Sequence, residues 1–85
     1  MADSDLRADV LAQIQTIIRQ VINDPEIVIR DTTTAADVSG WDSLTHVQII
    51  VAIETTFGIR FKSVEVAKFE NVGSLIDIVL ARRRG

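Results

Sequence analysis

The chain has no cysteine and no tyrosine, and only one proline, one tryptophan and four glycines among 85 residues. Without cysteine there is no disulfide framework, no thiol nucleophile and no cysteine metal site, so the fold must hold by packing alone. No uninterrupted apolar run approaches a membrane span. The N-terminus shows no basic stretch followed by a signal-like apolar core. The expectation is a soluble cytoplasmic protein, without stable membrane insertion. The acids are not spaced as in a dedicated calcium loop, and no metal site is expected.

What is present is apolar and unevenly charged. Hydrophobic residues make up 47% of the chain, enough for one small core and too little for two ordinary domains, so residues 1–85 read as a single domain. Residues 1–42 carry eight acids and three bases, whereas residues 43–85 carry four acids and six bases. The basic part gathers in Arg60, Lys62, Lys68 and the run Arg82-Arg83-Arg84. No zinc spacing or aromatic-basic pattern accompanies it, so nucleic acid is not an expected partner. The arginine run reads as a solvated tail, with steering of a partner as the sharper alternative.

Hydrophobic periodicity predicts an all-α fold of three main helices and one short one. The first spans about 4–22, with Leu6, Val10, Leu11, Ile14, Ile17, Ile18 and Val21 on one broad face, and Asn23-Asp24-Pro25 stops it. Helices over about 43–57, 64–68 and 73–82 follow. Ile27-Val28-Ile29 resembles a strand but has no convincing pairing partner. Residues 23–42 therefore read as a long ordered loop with a short turn near Thr34–Asp37, long enough to suggest that it positions something.

The loop delivers Gly40-Trp41-Asp42-Ser43-Leu44 to the start of the second helix. At about 100° per residue, Ile49, Ile50, Ile53 and Phe57 collect on one side of that helix and Leu44, Val47 and Val51 on nearly the opposite side. A small monomer cannot easily bury both stripes, so the second is expected to remain at least partly exposed as a docking surface. Ser43 at a helix N-terminus can hold a phosphate, although Asp42 and Ser43 are also good helix caps. Ser43 and the lone histidine, His46, are three residues apart, but Asp42 is no evident orienter for His46 and no oxyanion site is identifiable. A packing or loop-bonding histidine is favoured over a Ser-His hydrolase. Trp41 either contacts a partner or covers the loop–helix junction; Phe57, Phe61 and Phe69 read as core anchors.

Val38-Ser39-Gly40-Trp41-Asp42-Ser43-Leu44, followed by Val47, Ile49-Ile50, Ala52, Ile53, Glu54, Phe57 and Gly58, resembles the attachment site and recognition helix of acyl carrier proteins. The likeness covers nearly the whole chain. It implies a non-catalytic carrier in which Ser43 receives 4'-phosphopantetheine from coenzyme A, through a separate magnesium-requiring phosphopantetheinyl transferase. The thiol of that arm holds an acyl group as a thioester and presents it to acyl-loading, condensing or acyl-transfer enzymes. Asp42 and Leu44 belong to the attachment motif by the same carry-over. Trp41, Leu44, Val47, Gln48, Val51 and Glu54 then form the partner-recognition set, and Ile50, Ile53, Phe57 and Phe61 border an acyl cavity. Thr45, Gln48, Thr55 and Thr56 depart from the acidic pattern common in fatty-acid carriers, and Trp41 replaces a small residue. These departures point to a specialised fatty-acid-like or polyketide pathway. An aminoacyl or peptidyl carrier, and an unmodified module docking through Leu44, Val47 and Val51, are the alternatives.

Overall fold

The computed structural model describes the backbone of residues 2–68 and 70–84, and the side chains of residues 6–66 and 70–82. Four helices follow one another: α1 (Ala2–Ile22), α2 (Ser43–Phe57), α3 (Ser63–Lys68) and α4 (Val72–Arg84). No strand occurs among the described residues. Helix α1 packs on both α2 and α4. The shared core is built from Val10, Ile14, Ile17 and Ile18 of α1, Ile49, Ile50 and Ile53 of α2, and Val72, Leu75, Ile76 and Val79 of α4. These are the positions that 3.6-residue periodicity places on one face of each helix. Leu6, expected on the α1 face, lies at its exposed end. The Phe69 core anchor falls outside the described residues.

Helix ends carry the chemistry that the sequence implies. Asn23 adopts a left-handed φ of 64° just after α1, and Gly58 does the same at the end of α2 with φ 66°. In that conformation the chain turns away while late carbonyls find donors: Asp24 N–H reaches Arg19 O at 3.0 Å, and Ile59 N–H reaches Glu54 O at 3.1 Å. Asn71 caps α4, its Oδ1 accepting from Ser74 N–H at 3.1 Å.

The long loop has no ladder of its own, and its polar groups are satisfied by the helices. Ile29 N–H donates to Gln15 Oε1 at 2.8 Å, and Arg19 Nε donates to the Ile27 carbonyl at 2.7 Å. Ile29 can therefore enter the core without leaving a buried backbone donor unpaired. The stretch that looks like a strand thus pairs with α1 side chains in place of a neighbouring strand. Further along, a 3₁₀ turn (Ala35–Asp37) forms where the short turn is expected, with Thr34 N–H donating to Asp37 Oδ2 at 3.0 Å.

The loop also anchors α4. The carbonyls of Thr33 and Asp31 accept the first amides of α4, Val72 N–H and Gly73 N–H, each at 2.8 Å. At Gly73 a Cβ would lie 3.1 Å from Asp31 O, a tight contact that the absence of a side chain avoids. Arg7 joins the same junction, its guanidinium bonded to Asp77 of α4 and to Asp31 of the loop. Loop, α1 and α4 thereby form the frame from which residues 38–42 lead into α2.

One expectation about charge is corrected. Arg82 is not part of a free, solvated tail: its Nη2 meets both carboxylate oxygens of Glu65, at 2.9 and 2.8 Å, and ties α4 to α3. Lys62 N–H also donates to Glu65 Oε1, at 2.8 Å. This amide first, and the Arg82 guanidinium second, hold the Glu65 carboxyl below its ordinary pKa. The side chains of Arg83 and Arg84 lie outside the described residues.

Candidate functional site

Gly40 turns the chain into α2 with φ 94°, and a Cβ at that position would stand 3.0 Å from Ile22 Cγ2. Two residues on, Asp42 takes extended backbone angles and becomes the N-cap of α2. Its Oδ1 accepts from Thr45 N–H at 3.0 Å, while Thr45 Oγ1 accepts from Asp42 N–H at 2.8 Å. This reciprocal pair is a capping box with threonine in the role more often played by glutamate. Thr45 Oγ1 also lies 2.8 Å from the Gly40 carbonyl, to which it can donate, so the cap is fastened to the turn before it. The Thr45 amide, then the Thr45 hydroxyl, hold the Asp42 carboxyl below its ordinary pKa.

Because Asp42 caps the helix, Ser43 is released from that task. It occupies the first position of α2 with its side chain exposed. A group on its oxygen stands at the positive end of a 15-residue helix.

Beside Ser43 lies an open cleft of about 650 Å³, lined by Ala35, Trp41, Asp42, Ser43, His46, Phe61, Ser63 and Val66. It joins the loop, the start of α2 and the start of α3. Trp41 is only 8% exposed and belongs to the core cluster. Its Nε1–H donates to His46 Nδ1 at 3.0 Å, and the two rings stack with centroids 6.1 Å apart. Trp41 therefore covers the loop–helix junction, and it also lines the cleft. His46 is half-buried and bound to the loop, as the sequence favours. Asp42 is committed to Thr45, so it does not orient His46 as a hydrolytic triad would need.

The two stripes of α2 separate as their spacing requires. Ile49, Ile50 and Ile53 are buried, while Leu44, Val47 and Val51 are 68%, 57% and 52% exposed. Gln48 is exposed beside them. Glu54 differs from the rest of the expected recognition set: it is half-buried, and its Oε2 accepts from Phe61 N–H at 2.8 Å. Its carboxylate staples the α2–α3 connection. Of the four residues expected along an acyl cavity, Phe61 lines the open cleft; Ile50 and Ile53 lie in the core, and Phe57 packs against it.

Ser63, Ala35 and Val66 complete this region without having been singled out by sequence, and Thr45, noted there only for its missing charge, is the capping partner of Asp42. Asp42-x-x-Thr45 is a readable capping pattern. The other three come from the 3₁₀ turn (Ala35) and from α3 (Ser63 and Val66), and no local signal joins them to Ser43. Among the described residues, no cluster of three or more His, Asp or Glu is arranged to hold a metal ion, and no helix is long and apolar enough to cross a membrane.

Comparison with known proteins locates this arrangement. A family model described as "Phosphopantetheine attachment site" matches residues 12–79. The chain is 31% identical over 77 residues to the anthracycline acyl carrier protein DauA of a Streptomyces species, covering 87% of this chain and 90% of that protein. It is 28% identical over 74 residues to an acyl carrier protein of Thermosynechococcus vestitus, covering 86% and 90% respectively. Among solved structures, a holo acyl carrier protein from Geobacter metallireducens superposes with a TM-score of 0.79 at 40% identity, covering 86% of this chain and 84% of that one.

Proposed function

The chain belongs to the acyl carrier protein family, a family of non-catalytic carriers that work through phosphopantetheine, and from that premise we propose that Ser43 bears the arm. The observation that carries this reading is the division of labour at the start of α2. Asp42 caps the helix through Thr45, which leaves the Ser43 hydroxyl exposed at the first helical position. The cleft beside it, lined by Trp41, His46, Phe61 and Ser63, offers the attached group a partly apolar bed.

The site suits the group chemically. A phosphodiester on Ser43 Oγ carries a negative charge to the helix end where first-turn amides and the macrodipole favour it. When bound, the arm supplies a thiol that this cysteine-free chain lacks, and tethering raises the effective concentration of its thioester cargo at each partner. In loading, the Ser43 oxygen would form a bond to the phosphorus on the pantetheine side as the pyrophosphate link of coenzyme A breaks, the adenosine bisphosphate half leaving with the other phosphate and the hydroxyl proton passing to the modifying enzyme. Magnesium on that enzyme would compensate the pyrophosphate charge, with Asp42 placed beside the reacting oxygen.

Leu44, Val47, Gln48 and Val51 form the surface that partner enzymes meet, with the transferase and acyl-loading, condensing or acyl-transfer enzymes as the classes expected to use it. A specialised fatty-acid-like or polyketide pathway is supported by Trp41 before Asp42-Ser43-Leu44 and by neutral residues at Thr45, Gln48, Thr55 and Thr56.

Intact-mass measurement after incubation with coenzyme A, magnesium and a broad phosphopantetheinyl transferase tests the site. The folded chain should gain the mass of one arm and Ser43→Ala should gain none. Failure of the native chain to load with several competent transferases would overturn the assignment. Weighing the thiol-bound group on protein recovered from its host would identify the cargo class.

A further inference from the structure

Ser43 and His46 stand three residues apart in the first turn of α2, and both line the cleft there. Residues at that spacing are neighbours on one helix face, with Cβ atoms about 5–6 Å apart. A group on Ser43 Oγ that turns into the cleft therefore meets the imidazole. The ring already has one fixed contact, its Nδ1 accepting from Trp41 Nε1–H at 3.0 Å. An imidazolium carries a proton on both nitrogens and can accept at neither, so the indole bond and a protonated His46 exclude each other. Around the ring the described lining is neutral apart from one carboxylate. Ala35 of the 3₁₀ turn, Phe61 of the α2–α3 connection, and Ser63 and Val66 of α3 carry no charge, and Asp42 of the cap is the other titratable group. Asp42 keeps its charge while bonded to Thr45, and it shares the cleft with His46 whether or not Ser43 is loaded. Lys62 and Glu65, next to lining residues in sequence, are outside the lining and are likewise present in both states.

We propose that His46 is a positioning residue for the arm: beside a phosphodiester on Ser43 the imidazole takes a proton from solvent at Nδ1, gives up Trp41, and holds the phosphate against the cleft wall. The proposal rests on the Ser43 carrier reading. It goes beyond that reading in naming the side chain that answers the phosphate and the contact exchanged for it. Charge decides the direction. A phosphodiester stays singly anionic throughout the range in which an imidazole ionises, so it favours the charged ring wherever the two forms compete. The positive end of α2 opposes a cation at His46, and Asp42 favours one. Both influences act before and after loading, so the phosphodiester makes the difference between the two states. An exposed pair of this kind tightens proton binding about two- to fivefold. Below the midpoint the arm is drawn along the cleft; above it His46 returns to Trp41 and the arm is released towards solvent.

The test compares the full, untagged chain before and after loading from coenzyme A, each state confirmed by intact mass. His46 is the only histidine, so its ring carbon–proton signals can be followed alone through a pH titration by NMR. Their midpoint should lie about 0.3–0.7 pH units higher in the loaded chain, the two- to fivefold tighter proton binding expected of the pair. The ³¹P resonance of the phosphodiester has no ionisation of its own in this range, and it should move with the same midpoint. The Trp41 indole N–H signal should move with it as the bond to Nδ1 is lost. In loaded His46→Gln the ³¹P resonance should stay flat between about pH 5 and 8. Glutamine keeps an acceptor for the indole, and an unchanged circular dichroism spectrum would show that the variant folds; the native comparison is decisive without it. Equal midpoints in the two states, a lower one in the loaded chain, a ³¹P resonance that ignores pH in the native chain, or one that still titrates in His46→Gln would each overturn the proposal. These outcomes leave the carrier reading standing. A native chain that gains no arm mass removes that reading, and the role of His46 with it.

Discussion

Trp41 Nε1–H donates to His46 Nδ1 at 3.0 Å, joining the last turn of the long loop to the first turn of α2. An indole nitrogen can only donate, so His46 Nδ1 is the acceptor of this bond. The bond holds the histidine ring at the wall of the cleft beside Ser43. It also gives the buried indole a partner for its one polar atom. Both residues sit within three positions of Ser43, so this contact ties the loop to the helix beside that serine.

Trp41→Phe tests that tie. It deletes the donor, leaves His46 Nδ1 without this partner and removes part of a core side chain. The expected loss of stability is about 1–3 kcal/mol, read from urea unfolding followed by circular dichroism. The ¹⁵N chemical shifts of the His46 ring should move as this bond is lost. A stability change with unmoved His46 shifts would mean that Trp41 acts through volume alone.

Acid should attack the chain through two carboxylates in particular. Asp42 is held below its ordinary pKa mainly by the Thr45 amide, and Glu65 mainly by the Lys62 amide with Arg82 second. In each case the folded pKa is lower than the unfolded one, so the folded state binds its proton less readily. Their contribution to stability is present above about pH 4 and is lost as pH falls through the lower folded values. Asp42→Asn and Glu65→Gln should each flatten the fall of Tm between about pH 5 and 2. The Asp42 variant should also speed hydrogen exchange in the first turn of α2. An unchanged acid limb in both would place the acid sensitivity elsewhere.

Much of this was legible in the sequence because it is local or periodic. The helices follow from apolar spacing, and the opposed stripes of α2 follow from the same 3.6-residue count that buries Ile53 and exposes Val47. Asn23, Gly58 and Asn71 act as helix punctuation for reasons confined to their own backbone or side chain. The contacts that escaped are polar and distant in sequence. Gln15 to Ile29, Glu54 to Phe61 and Arg82 to Glu65 each require the elements to be docked before the pairing exists. An exposed-looking acid such as Glu54 and a tail-like base such as Arg82 carry no local sign of these partners. Their roles as staples emerge only with tertiary geometry.

Two glycines with similar backbone angles should respond differently to alanine. At Gly58, with φ 66°, a Cβ would meet nothing within 4 Å, so only the left-handed conformation is penalised. The expected cost is about 1–2 kcal/mol. At Gly40, with φ 94°, the same methyl would also press on Ile22 Cγ2 at 3.0 Å, at the end of α1. Gly40→Ala should therefore lose more stability than Gly58→Ala in urea titrations run side by side. If Ser43 is the residue that loads, Gly40→Ala should also slow loading, because this turn leads into the segment that carries it; equal losses and unaltered loading would remove Gly40 from that role.

The two faces of α2 should separate stability from recognition. Ile53 is fully buried, and Ile53→Ala removes methyl groups from a packed core, with an expected cost of about 2–5 kcal/mol. Val47 is 57% exposed on the opposite side, and Val47→Ala should change stability by less than about 0.5 kcal/mol. If the exposed stripe is what the modifying enzyme grips, Val47→Ala should raise the KM for loading Ser43 while leaving Tm nearly unchanged. Val51→Ala supplies a second point on the same stripe, one helical turn further from Ser43. A normal KM in both variants would show that the transferase reads the loop and the Asp42-Ser43 segment instead. The neutral, exposed α2 stripe would then be left to the enzymes that act on the loaded chain.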